Sequence, residues 1–207
     1  MARIDLKQTL KPYYQASAAA VAIVDVPPLL FLMIDGDGNP NTAAAYREAV
    51  EALYSVSYTL KFMLKRAPQP LDYSVMPLQG LWRADDMTAF TRLDKDAWRW
   101  TMMILQPEAV TAALLHEAIQ TAARKKALPA LPLLRLERFH EGRAAQIMHL
   151  GPYADEPPTI ARLHDWIQEQ GCALRGQHHE IYLSDPRRSA PEKMKTILRQ
   201  PISEASR

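Results

Sequence analysis

Apolar positions along the chain fall into two regimes: short runs that are apolar almost throughout, and longer stretches where they recur every three or four residues. "AVAIVDV" (20–26) and "LLFLMID" (29–35) are of the first kind. They are two short β-rich runs joined at Pro27 and Pro28, which predicts two strands. "GDGNPN" then breaks the chain, and Thr42 stands where a helix cap belongs. Tyr46, Val50, Leu53, Ser57, Leu60 and Leu64 follow at helical spacing, which predicts a helix to about Arg66. "DYSVMPLQGLW" (72–82) and "AWRWTMMIL" (97–105) read as extended, linked by the polar loop "RADDMTAFTRLDKD". A helix is predicted over 108–126, with Pro107 at its first turn and Arg124, Lys125 and Lys126 at its end.

The second part of the chain repeats this order. "LLRLERFHEGRAAQIMHLG" (133–151) predicts a hairpin turning at Glu141-Gly142, "PYADEPPT" a loop, "IARLHDWIQEQG" (160–171) a helix closed by Gly171, and "HHEIYLSDP" a strand. Setting Gly36 over Gly151 also sets Met33 over Met148, and two residues of slippage bring Thr42 over Thr159. Setting Pro107 over Pro186 brings "WRWTMMILQP" against "HHEIYLSDP". The expected fold is α+β, one domain over 1–207 made by a pseudo-twofold duplication. The first repeat covers about 20–127 and the second about 131–187. Antiparallel strands carry helices on one face and leave the other face to a ligand. "RRSAPEKMKTILRQP" predicts an amphipathic tail helix at about 190–200, packed through Met194, Ile197 and Leu198.

Composition narrows the function classes. The 207 residues are 48% apolar and 23% charged, as in an ordinary globular chain, and a net charge of +2 makes no case for nucleic acid or an anionic membrane. The single Cys172 excludes a disulfide framework and suits a reducing compartment. "SAAAVAIV" is too short to span a bilayer, so a cytoplasmic protein is expected.

No cofactor or metal is called for. "DGDGNPN" (35–41) alternates like a calcium loop, but Pro40 replaces the required Gly and Tyr46 the required Glu. His178 and His179 are neighbours on a strand and point to opposite faces, so surface or hydrogen-bonded histidines account for the pattern better than a metal site. There is no Gly-x-Ser-x-Gly elbow, and Cys172 has no evident base.

The aromatic residues say more. Trp82, Trp98, Trp100 and Tyr73 fall in or beside extended runs, and Tyr153 lies in the loop "GPY". Core packing accounts for any one tryptophan, but together they would make a wall for a planar or cationic ligand. Glu180 strengthens that case. With Ile181 and Leu183 facing the helices, Glu180 and Tyr182 face the ligand side. A carboxylate among rings would attract a cation or exchange a proton. On pattern alone, a salt bridge from Glu180 to one of the many arginines is an equal alternative.

"HLGPY" (149–153), a helix, and then "EIYLSDP" (180–186) resemble the second half of GyrI-like small-molecule-binding domains. "FLMIDGDGNPN", "AVEALYSVSYTLKF", "DYSVMPLQGLW", "DKDAWRWTMMILQP" and "DPRRSAPEKMKTILRQP" resemble a standalone branch of that family, from about residue 8 to 202. The resemblance implies two βαββ units with the ligand between them, and it maps a drug-binding acid onto Glu180. For this branch it implies hydrolysis of cyclopropane-bearing alkylating agents within an aromatic cage. The cage carries over as Trp82, Trp100, Tyr153 and Tyr182, with Trp98 and Tyr73 beside them. Glu180, Tyr153 and Tyr182 would then handle protons. The residues ahead of Val21 are too few for a helix-turn-helix, so a transcription activator is not expected. The alternatives are a non-catalytic drug-binding module and a protein that inhibits gyrase by contact.

Overall fold

The structure, a computed structural model, describes residues 2–84, 95–185 and 187–204. Most of the polar loop read at 83–96, and Pro186, lie outside those residues. In chain order the elements are β1 (Ala2–Ile4), α1 (Leu6–Thr9), α2 (Lys11–Tyr14), β2 (Ala22–Val26), β3 (Leu29–Asp37), α3 (Ala44–Arg66), β4 (Leu71–Tyr73) and β5 (Leu78–Ala84). They continue with β6 (Trp98–Leu105), α4 (Ala112–Lys125), β7 (Arg135–Phe139), β8 (Gly142–Leu150), α5 (Pro157–Glu169), β9 (Cys172–Leu174), β10 (His178–Tyr182) and β11 (Lys195–Glu204). The chain divides into two compact units. One holds Met1–Thr9, Leu29–Leu78 and Trp82–Phe139, and the other holds Leu10–Pro28, Gln79–Leu81 and His140–Arg207.

In the first unit the strand order is β5-β6-β3-β7, and β3 pairs antiparallel with both β6 and β7. Leu32, Ile34 and Gly36 lie opposite Ile104, Met102 and Trp100, so these six share one face. Helix α3 covers that face with Leu53, Val56 and Leu60, all fully buried. Gln106, on the same side of the strand end, donates to Ser57 Oγ of α3 over 3.1 Å. The predicted helix starts one to two residues later than Thr42, with Ala43 at the cap position and no side-chain cap. Helix α4 starts at Ala112, where the Thr111 hydroxyl accepts from the Leu114 N–H.

The second unit runs in the order β2-β8-β11-β10, antiparallel at each of these pairings, with β9 against the end of β11. Helix α5 packs Leu163 and Ile167 onto Ala145 and Ile147 of β8 and Leu198 and Ile202 of β11. Fully burying each of these leucine and isoleucine side chains stabilises the unit by about 1.5–3 kcal/mol. Gly171 follows the end of α5 at φ 68°, the left-handed conformation that closes a helix, as its position predicts.

The repeat is present as topology. β3-α3-β5-β6 and β8-α5-β10-β11 follow the same strand, helix, strand, strand order, and β6 and β11 occupy the same place within their units. This corrects three readings. The counterpart of β6 is β11, not the "HHEIYLSDP" strand. The expected tail helix at 190–200 is one turn, Pro191–Lys193, followed by β11 between β8 and β10. Its side chains are buried on both faces, so the apolar spacing of Met194, Ile197 and Leu198 carries no helical meaning. The expected hairpin at 133–151 does not form either, because β7 pairs with β3 in one unit and β8 with β2 and β11 in the other. Among the described residues, no helix is long and apolar enough to cross a membrane.

Candidate functional site

Glu180 pairs in register with Leu198, and Leu198 pairs with Ile147, so all three point to the face that α5 covers. His178 and Tyr182 share that side by alternation. The expected orientation is therefore reversed: Ile181 and His179 point away from α5, while Glu180 and Tyr182 point towards it. Both faces of β10 are covered, which is why an apolar neighbour could not tell them apart.

On the α5 side the side chains form a string. The Tyr182 hydroxyl donates to Glu180 Oε2 over 2.6 Å, a short charge-assisted bond. The ring of Tyr182 meets that of Tyr153 edge-on, with centroids 5.4 Å apart. On the other side, Glu180 Oε1 lies 3.5 Å from His178 Nε2, and the His178 ring stands edge-on to His164 of α5 at 6.4 Å. Burial lowers the pKa of His164, with the neighbouring His178 adding to the effect. Glu180 is mostly buried, its side chain 13% exposed, whereas Tyr153 is 38% exposed. Among the described residues no arginine forms an ion pair with Glu180. The groups at its carboxylate are the Tyr182 hydroxyl and, at 3.5 Å, His178 Nε2.

Arg199 lies opposite His179 on one side and Gln146 on the other, a row across three strands on the face away from α5. Its guanidinium donates to Glu141 Oε2 over 2.9 Å, to Gln146 Oε1, and to the Tyr13 carbonyl. His179 Nδ1 is 2.8 Å from Glu141 Oε1, and Nε2 is 2.9 Å from the Gln79 amide, which is bonded to the buried Tyr14 hydroxyl. Burial opposes ionisation of Glu141, but His179 and Arg199 overcome it and hold the carboxyl at about 2. Burial lowers the pKa of His179. The Gln146 amide completes the network by donating to the carbonyls of Pro12 and Gln15. The network therefore fastens residues 12–15 over this face.

In the first unit Trp82 and Trp100 meet Tyr46 of α3, and Trp98 meets Trp82. Tyr46 stacks on Trp82 at 6.2 Å and meets Trp100 edge-on at 5.3 Å, while Trp82 and Trp98 are 5.5 Å apart. Trp82 and Trp100 are buried, and the Trp100 indole N–H has no partner among the described residues. Trp98 already carries a cation, Lys95 Nζ at 5.5 Å from its ring centroid. The absence of a side chain at Gly36 creates room for Trp100, since a Cβ there would lie 2.2 Å from the ring. Tyr73 stands apart on β4 opposite Ile4, with its hydroxyl buried and unpartnered among the described residues. Its pKa is raised by burial. An open apolar groove of about 450 Å³, lined by residues such as Ile119, Leu128 and Leu131, contains none of the candidate residues. Among the described residues no cluster of three His, Cys, Asp or Glu is placed to hold a metal.

Residues 19–201 match the family described as the GyrI-like small molecule binding domain. The chain belongs to that family. An uncharacterized conserved protein from Listeria innocua is 40% identical, with a TM-score of 0.89 over 97% of this chain and 100% of that one. Two structures described as hydrolases from the same organism are 38% and 37% identical, with TM-scores of 0.82 and 0.84. They cover 97% and 98% of this chain, and all of their own is covered. No curated protein matches.

Within this GyrI-like domain, sequence reasoning missed three groups of residues. Tyr46 reads as part of a helix stripe, and its place four residues past Thr42 gives no sign that it meets tryptophans. His178 carries no metal-site pattern, but its spacing of two from Glu180 puts both on one face. Glu141 reads as a turn residue, and Arg199 falls within the expected tail helix. No local signal marks a buried ion pair whose members are 58 residues apart.

Proposed function

We propose that this GyrI-like protein binds hydrophobic molecules that are planar or cationic, with Glu180 as the anion that meets the ligand's charge. The observation that carries this reading is the state of Glu180. It is mostly buried, fixed by Tyr182, whose ring meets Tyr153, and without an arginine partner among the described residues. A carboxylate removed from water without a counterion favours any cation that can reach it, and aromatic faces beside it add to that attraction. The family supports small-molecule binding as such. In the first unit, taken by itself, Lys95 Nζ over the Trp98 ring is an example of a cation held on an aromatic face.

A thermal-shift comparison tests this. A planar aromatic cation at a hundred times its Kd should stabilise the protein by about 2.7 kcal/mol, and a neutral molecule of the same shape at the same concentration by less. Equal shifts from both, or none from either, would count against the reading.

The two hydrolase relatives favour a second, catalytic reading. The substrates would be strained electrophiles in which a cyclopropane is conjugated to a carbonyl. Glu180, through the oxygen that Tyr182 does not bond, takes a proton from water as the water oxygen attacks a ring carbon. The ring C–C bond breaks, its electron pair passes to the carbonyl oxygen, and a tyrosine hydroxyl protonates that oxygen. The product is the substrate plus one water. Incubation with such a compound and mass analysis checks this, and the absence of a water-added product would leave binding alone.

A further inference from the structure

His178 stands two residues before Glu180 and points to the same side of β10. Its side chain is 10% exposed, and neither ring nitrogen has a hydrogen-bond partner among the described residues. Buried polar atoms are rarely left in this state, so the imidazole has capacity to spare for a ligand. Glu180 Oε1 lies 3.5 Å from His178 Nε2, too far for a good bond between them. Glu180 Oε2 is already taken by Tyr182. The unused capacity of both residues therefore converges on one place, between Oε1 and Nε2. His164 lies behind His178 with its own Nε2 unpartnered, and burial favours its uncharged form, so it sets no fixed positive charge against a cation.

Two acceptor atoms at this separation suit a single donor atom bonded to both, with His178 in the tautomer protonated on Nδ1. A primary ammonium brings three N–H groups to that position. A quaternary ammonium or phosphonium brings none, and its carbon shell holds the charge further from the carboxylate.

We propose that the Glu180 site recognises hydrophobic molecules carrying an N–H cation, a primary or secondary ammonium or an amidinium. The donor nitrogen sits between Glu180 Oε1 and His178 Nε2, and quaternary cations of the same size and charge are disfavoured. This rests on the reading that Glu180 meets the ligand's charge, and it adds which cations are taken. A site built to bond a donor rejects the analogue that lacks it, because its own buried groups are then left unpaired.

Fluorescence titration with 1-pyrenylmethylammonium and (1-pyrenylmethyl)trimethylammonium tests the proposal, because both carry one charge on the same planar body. The wild type should bind the primary ammonium at least about tenfold more tightly, a difference of about 1.4 kcal/mol. His178→Phe should bring the two within about threefold by weakening the primary ammonium alone. The imidazole 15N signal of His178 Nε2 in the wild type gives a readout independent of any variant's folding, and it should move on binding the primary ammonium. Equal affinities that both depend on Glu180, or an unmoved His178 signal at saturation, would overturn the proposal and leave cation binding standing. Binding of both probes unchanged by Glu180→Gln would overturn the underlying reading and this inference with it.

Discussion

Tyr182 holds Glu180 in place: its hydroxyl donates to Glu180 Oε2 over 2.6 Å, and the two side chains share the α5 side of β10 because they are two residues apart. One carboxylate oxygen is thereby fixed and the other left towards His178. An acid held in one orientation meets a ligand without first having to be ordered.

Tyr182→Phe should separate this orienting role from the charge itself. Loss of a hydrogen bond to a carboxylate predicts a stability decrease of about 1–3 kcal/mol, measured by urea unfolding. Affinity for a planar cation should fall by less than it does in Glu180→Gln, because the charge remains. An equal or larger loss in Tyr182→Phe would mean that the phenol contacts the ligand directly.

Gly36→Ala should disturb Trp100 from the opposite strand. The added methyl would overlap the indole ring, so ring or strand must shift, at a cost of about 1–3 kcal/mol. The near-ultraviolet circular dichroism should change, since Trp100, Tyr46, Trp82 and Trp98 form one contact group. An unaltered spectrum would contradict the close approach of Trp100 to Gly36.

The Glu141 network predicts a particular pH dependence. The folded-state pKa of about 2 lies below the ordinary value of 4.5. Its contribution is therefore complete above about pH 4.5 and lost as the pH falls towards 2, on the order of 3 kcal/mol in all. Glu141→Gln should be less stable at neutral pH by a similar amount, since it leaves Arg199 buried without its anion. Between pH 4.5 and 2 its stability should fall less steeply than that of the wild type. Parallel profiles would contradict an ionised, buried Glu141.

Much of this architecture is legible in the sequence, because it rests on local periodicity. The stripe from Tyr46 to Leu64 has one period, and the apolar run of β3 is bounded by Pro28 and the turn after it, so both appear where expected. β11 defeats that method. Lys195–Glu204 is buried on both faces, so it loses the alternation of a half-exposed strand, and its basic residues imitate a solvated helix. The same loss affected β10. Residues 12–15 cover the face away from α5, and only pairing with Leu198 shows which way Glu180 points. Glu180 itself was legible as an acid out of place in a strand. Its partners Tyr182 and His178 follow from a spacing of two, whereas Glu141 and Arg199 required the fold.

The central claim is that Glu180 supplies the charge that holds a cationic ligand. Isothermal titration of the wild type and Glu180→Gln with 1-pyrenylmethylammonium, and with neutral 1-pyrenemethanol, tests it most directly. The substitution should weaken the cation by at least about tenfold, or 1.4 kcal/mol, while changing the neutral compound by less than about threefold. Equal affinity of both proteins for the cation would contradict the claim.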